Sequence, residues 1–539
     1  MEGLNMHYPL TLQAILRRAR DVVHDGEIVT RLADNSVHRC TYGEFFARVV
    51  RLMGALKAAG IKPGDRIATF AWNRYQHLEL YFAAPCLGAV LHTLNIRVSR
   101  EQLVYIVNHA EDQFIFVDES LADQFVPLLP ELPGVKQFVV IEETDGATAG
   151  LPGAVRYEDF LAGGEPLHDW PQLDENDAAA MCYTSGTTGN PKGALFSHRA
   201  LYLHTMAMGL TDTMAIGNAD AVLTFVPMFH VNAWGIPFVG VMTGAKLIFP
   251  GRNPQPADVV RLIREEGATL AAAVPTVWMM VHHYLQEHGG DLGTLNRIAC
   301  GGSAVPRSLM ETYDRTYHVP IVQLWGMTEL APLGVVSRLK RRMRDWPAAE
   351  QVKVRLKAGY PAAGIEARIQ ADDGSVLRND GDTVGELCVR GPWVIREYYR
   401  MEGGSRSFTP DGWFKTGDVA AIDPDGYVRI ADRVKDLIKS GGEWISSVDM
   451  ENALMAHPAV AEAAVVARPD AKWDERPVAF LVPKPGREAD LSAAAVTEHL
   501  APNFAKWQIP YAEDVHLIDA IPRTSVGKFD KKVLRRRYD

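Results

Sequence analysis

The stretch YTSGTTGNPKG, Tyr183 to Gly193, offers backbone amides, hydroxyls and one lysine with little side-chain shielding between them. Such a loop closes around the oxygens of an anion, and Lys192 adds a compact positive charge. The chemistry this implies is phosphate binding. A surface turn has a similar composition, because glycine, serine and proline also gather where the backbone must bend. The familiar phosphate loop G-x-x-x-x-G-K-[ST] does not fit: counting from Gly186 puts Pro191 at the second glycine, and Gly193 follows Lys192. Taken alone, the loop leaves both readings open.

Further segments carry residues that could act with it: WGMTE (325–329), GELCVRG (385–391), DGWFKTGD (411–418), DRVKDLIKSGGEWIS (432–446) and PRTSVGK (522–528). Each also has a plain reading. Glu329 is an acid at a helix N-terminus, Asp418 a turn aspartate, and Lys528 a solvated lysine near a basic terminus. In this order, however, the segments resemble the adenylate-forming (ANL) superfamily over nearly the whole chain. VPMFHVNAWG and SGGEWISSVDMENAL are most similar to its acyl-CoA synthetase, fatty-acid–CoA ligase branch.

The resemblance implies a two-step ligase. A carboxylate attacks the α-phosphorus of ATP, pyrophosphate leaves, and a thiol then attacks the acyl adenylate. Joining two anions requires positive charge and oriented donors around the phosphates. By resemblance, Thr184, Ser185, Gly186, Thr187, Thr188, Gly189 and Lys192 hold the β- and γ-phosphates, and Glu329 with Thr184 holds Mg²⁺. Gly301, Gly302, Ser303 and Trp325 frame the adenine, with Trp325 where most of the family has tyrosine, and Gly326, Met327, Thr328 and Lys435 belong to the same cofactor-binding set. Asp418 takes the ribose hydroxyls with Arg433 nearby, and Lys528 bridges carboxylate and α-phosphate as the principal catalytic residue. Coenzyme A is the expected acceptor, along Lys439, Gly441, Gly442, Glu443 and Trp444. The acid-binding set is His230, Val231, Trp234, Gly302, Trp325 and Pro332.

From Ala221 to Pro250 there is no acidic residue, so an amino-acid substrate would bury its ammonium unpaired in the segment that lines the acyl pocket in this family. Phe229, Val231, Trp234, Ile236 and Phe238 instead offer an apolar lining, or else plain core. The expected substrate is a medium- to long-chain fatty acid. A shorter apolar acid such as 3-methylthiopropionate is the rival, with Trp234 and Trp325 filling the pocket, and a non-catalytic nucleotide- and acyl-binding regulator is the alternative of another class.

Elements must position these residues. Capping boxes, Thr41 with Glu44 and Ser99 with Gln102, open two early helices, each followed by a strand-like run, DRIATFAW and DQFIFVD. The alternation returns after residue 220 with VLTFVP, AKLIFP, RIACGGS and PIVQLWG, which predicts two mostly parallel sheets. Turn signals such as DDGS and DPDG between 355 and 430 predict a small β unit. The expected fold is α/β: a large N-terminal domain (1–431) of two parallel-type αβ subdomains plus a small distorted β-barrel, a hinge at 432–437 with Lys435 as pivot, and a small mobile α+β domain (438–539). The net charge of −10 disfavours nucleic acid. The five scattered cysteines never form C-x-x-C, which fits a reducing, cytoplasmic setting, and neither an export signal nor a membrane-length apolar run is found. A homodimer is a family-level expectation.

Overall fold

The computed structural model describes the chain except residues 2, 144–149, 185–189, 402–406, 434–435, 441–442, 525–528 and 539. Both early helices start where their caps predict. In Tyr42–Ala58 the Glu44 amide donates to Thr41 Oγ1 at 3.2 Å and the Thr41 amide donates back to the Glu44 carboxylate at 2.7 Å. Arg100–Ala110 repeats this reciprocity through Ser99 and Gln102. Each pair satisfies two amides that the first helical turn leaves without partners.

The large domain carries two sheets. One has seven strands, ordered Val155–Arg156, Gln137–Ile141, Asp112–Asp118, Arg66–Phe70, Val90–Thr93, Ala178–Thr184, Lys192–Ser197. Every neighbour pair in it is parallel except the last. The other has nine strands and a parallel centre containing Ile321–Gly326, Arg297–Gly301, Leu270–Ala273, Ala221–Thr224 and Lys246–Phe249. One membership is invisible in sequence order: the hairpin Glu27–Arg31 and Val37–Thr41 joins this second sheet beside Lys246–Phe249. Ile28 and Val29 are fully buried there, so a long-range parallel pairing covers them.

Helices between the sheets bind them into one core. Phe82 of Tyr75–Cys86 meets Phe238 of Ile236–Thr243 edge to face at 5.7 Å, and Tyr81 packs on the same ring. Residues from both sheets share this buried cluster. The region expected as a small barrel carries a four-stranded antiparallel sheet, Glu366–Gln370, Gly385–Arg390, Phe414–Ile422 and Val428–Arg433. The C-terminal part has its own sheet, built on Val460–Asp470 and Asp474–Pro483, and its own buried cluster around Ile438, Met450, Val465 and Leu481. Among the described residues no helix is long and apolar enough to cross a membrane.

Candidate active site

In parallel sheets, ligands bind beyond the carboxyl ends of the strands. Thr184, Gly301 and Gly326 each end a strand of this kind, and His230 follows shortly after the end of Ala221–Thr224. All four residues line one cavity of about 1630 Å³.

Thr184 and Lys192 are register partners in the antiparallel pair that closes the first sheet, so the strands hold both ends of the glycine-rich loop. Ser185, Gly186, Thr187, Thr188 and Gly189 lie outside the described residues. The Lys192 ammonium sits 4.9 Å from the Tyr398 ring centre, and the Tyr398 hydroxyl donates to Glu329 Oε1 at 2.7 Å. Glu329 is almost wholly buried, and burial pushes its carboxyl above the usual carboxylate range. A buried carboxylate with one hydroxyl donor beside a cavity threonine fits a hard cation that keeps phosphate oxygens and water as its other ligands. Among the described residues no group of three or more His, Cys, Asp and Glu side chains could form an all-protein metal cage.

Asp418 and Arg433 face each other across two antiparallel strands of the third sheet. The Trp325 indole N–H donates to Asp418 Oδ2 at 2.8 Å. Arg433 Nε lies 2.9 Å from Oδ1, but the contact is not aligned as a hydrogen bond, so among the described residues Oδ1 is a buried acceptor without a hydrogen-bond donor. That vacancy in hydrogen-bonding capacity suits a ligand hydroxyl. Gly334 backs the indole closely: a Cβ there would fall 2.7 Å from Trp325 Cε3. Gly302, Ser303, Met327 and Thr328 line the same cavity.

The segment after His230 adopts an unusual backbone. Val231, Asn232, Ala233, Trp234 and Gly235 have φ of 38°, 54°, 48°, 56° and 78°. A left-handed residue with a side chain costs about 1–2 kcal/mol, and runs of them are rare. Burial holds the turn. A Cβ on Gly235 would lie 2.5 Å from the His204 ring, and Asn232 is fully buried with its Oδ1 3.5 Å from Cys182 Sγ. The turn presents Val231 and Trp234 to the cavity, with the indole beside Gly301, and Pro332 lines it nearby. Phe229, Ile236 and Phe238 do not line the cavity: they are buried core, as their plain reading had it.

The C-terminal part contributes Arg523, Thr524, Phe529 and Lys531 to the cavity lining. Lys439 and Trp444 are not among the lining residues: the ammonium stands 5.9 Å over the exposed indole instead. Of Glu443 only the strand backbone is described. Lys435, Gly441, Gly442 and Lys528 lie outside the described residues. Tyr398, which contacts both Lys192 and Glu329, is a neighbour of the candidate site that no spacing in the sequence singles out.

Comparisons with known proteins give the family. The model of the AMP-binding enzyme family matches residues 17–399, and that of the AMP-binding enzyme C-terminal domain matches 449–528. The chain belongs to the AMP-binding enzyme family. It is 45% identical to a long-chain-fatty-acid–CoA ligase of Thermus thermophilus, with 99% of this chain and 96% of that one covered. It is 42% identical to a 3-methylmercaptopropionyl-CoA ligase of Ruegeria lacuscaerulensis, with 100% and 99% covered. ATP-bound MatB from Rhodopseudomonas palustris superposes with a TM-score of 0.84 at 27% identity, covering 98% of this chain and 99% of that one. The expected class, an AMP-forming acid–CoA ligase, agrees with these relatives.

Proposed function

We propose that this AMP-forming acid–CoA ligase activates a medium- to long-chain fatty acid, with Lys192, Thr184, Glu329, Asp418 and Lys528 as its working residues. Asp418 Oδ1 accepts a ribose hydroxyl, and Lys192 with the loop after Thr184 gathers the β- and γ-phosphates. Mg²⁺, held through Glu329 and Thr184, neutralises phosphate charge when bound. Lys528 brings its ammonium between carboxylate and α-phosphate, where negative charges converge in the first transition state. His230 lines the pocket mouth and is not needed as a base, because a carboxylate is already ionised at neutral pH.

What carries the substrate class is the apolar part of the cavity lining, which we read as one acyl branch: Val231, Trp234, Leu333, Met208 and Met214 all line the cavity, and no acid occurs from Ala221 to Pro250. Relatives named for long-chain and medium-chain fatty acids support it. A second reading, 3-methylthiopropionate, is favoured by the Trp234 indole standing against Gly301 and by the 42% identical relative.

The thioester step belongs to a second pose of the small domain. The described pose brings Arg523, Thr524 and Phe529, which flank Lys528 in the sequence, to the cavity and leaves Lys439 and Trp444 outside its lining. Rotation of residues 438–539 about 432–437, with Lys435 as pivot, exchanges the two for coenzyme A. The free cysteines fit a cytoplasmic setting, and a homodimer is carried by the family resemblance. Pyrophosphate release and thioester formation across straight-chain acids and 3-methylthiopropionate test the substrate. Highest kcat/KM on an acid of eight or more carbons is expected. Preference for the methylthio acid selects the second reading, and ATP and acid binding without turnover on any acid leaves a regulator.

A further inference from the structure

The fatty-acid reading raises the question of where the acyl branch ends. His230 follows the carboxyl end of the strand Ala221–Thr224, whereas the loop 210–220 precedes its amino end, so the two mark opposite edges of the sheet. Met208 and Met214 lie on this lower side, are almost wholly buried, and still line the cavity. Cavity-lining residues therefore stand towards both edges of the sheet.

Two arginines clasp the loop on the lower side. Arg338 donates from Nε and Nη2 to the Thr213 carbonyl at 3.0 and 2.7 Å. Arg297 donates to the Met214 and Ala215 carbonyls at 3.3 and 3.1 Å, while Asp220 holds its guanidinium at 2.8 Å. Three successive carbonyls are thus tied to fixed cations. Ala215 has φ of 55°, so the loop bends back sharply at the clasp. Arg297 begins the strand whose last residue, Gly301, borders the nucleoside side. Four rises of about 3.3 Å put these ends about 13 Å apart. A zigzag of carbon–carbon bonds near 1.5 Å advances about 1.3 Å per methylene, so a straight chain laid along that length takes about ten carbons, fewer by one or two where Met214 takes up space.

We propose that the loop Thr213–Ala215, clasped by Arg297 and Arg338, is the end stop of the acyl cavity, with Met208 and Met214 as its floor, sized for a straight acid of about eight to ten carbons. This rests on the fatty-acid reading and sharpens it. A rigid stop sets length because an extra methylene must either displace packed side chains or stay in water.

The test compares kcat/KM for thioester formation across saturated acids from four to eighteen carbons in the wild type, Met214→Ala, Met214→Phe and Arg338→Met. The wild-type optimum is expected near eight to ten carbons. Met214→Ala moves it two or three carbons longer, with at least a fivefold gain for the longer acid relative to the original optimum. Met214→Phe moves it shorter, and Arg338→Met broadens the profile towards longer acids. Opposite shifts from Ala and Phe separate a ruler from mere loss of stability. Superimposable profiles in the two Met214 variants, with ligase activity intact, overturn the end stop and leave the ligase reading standing. A wild type that forms no thioester from any acid overturns both.

Discussion

Replacing Asp418 by Asn tests whether this carboxylate holds the ribose. The substitution keeps the side chain's shape and leaves a carbonyl that still accepts from the Trp325 indole, now at 2.8 Å from Asp418 Oδ2. It turns Oδ1, the buried acceptor without a donor, into an NH₂ group, so the hydroxyl meets a donor where it met an anion. One hydrogen bond to a charged group contributes about 1.5–3 kcal/mol. At about 1.4 kcal/mol per tenfold, ATP should bind roughly 10- to 150-fold more weakly. The contact to Arg433 adds little, about 0–1 kcal/mol, because that guanidinium is 43% exposed and screened by solvent. Calorimetric Kd values for ATP, 2′-deoxy-ATP and 3′-deoxy-ATP on both proteins complete a thermodynamic cycle. Wild type should discriminate against at least one deoxynucleotide by the same factor that Asn costs with ATP, and the Asn variant should discriminate hardly at all. If the variant binds ATP as tightly as wild type, or distinguishes the deoxynucleotides just as strongly, Asp418 does not hold the ribose.

Lys528→Ala is expected to lower pyrophosphate release at least a hundredfold, in line with about 3–4 kcal/mol for a lost transition-state donor, while thioester formation from a supplied acyl adenylate persists; equal loss in both half-reactions would remove Lys528 from its role. Proline at position 435 fixes φ near −65° and restricts its neighbour, so Lys435→Pro should keep adenylate formation and lose thioester formation in single-turnover assays. Wild-type rates for both steps in that variant exclude the pivot. Acid should destabilise the large domain: burial pushes His77 and His198 down to about 4 and His204 down to about 3. These rings stay neutral in the fold while the unfolded chain takes up protons below about 6.5, so stability is intact above that pH and falls as pH drops towards 4. The loss is about 1.4 kcal/mol per histidine at pH 5.5, about 4 kcal/mol for the three. Urea unfolding at pH 7.5 and 5.5 measures it, and equal midpoints at the two values would mean the rings titrate normally.

The sequence by itself determined what local spacing can encode. Thr41 with Glu44 and Ser99 with Gln102 marked helix starts to the residue, because a cap is satisfied within one turn of chain. The βα alternation carried the two parallel sheets, since each strand and helix shows its own period. The acid-free run from Ala221 to Pro250 described the chemistry of that segment without its geometry. Tertiary structure alone decided the rest, because it joins residues far apart in the chain. Tyr398 reaches Glu329 across 69 positions, Trp325 meets Asp418 across 93, and Arg338 clasps Thr213 across 125. No periodicity distinguishes Val231 and Trp234, which reach the cavity, from Phe229, Ile236 and Phe238, which do not. That division follows from a left-handed turn held by burial, and a backbone conformation that opposes local preference is set by its surroundings and not by its own residues.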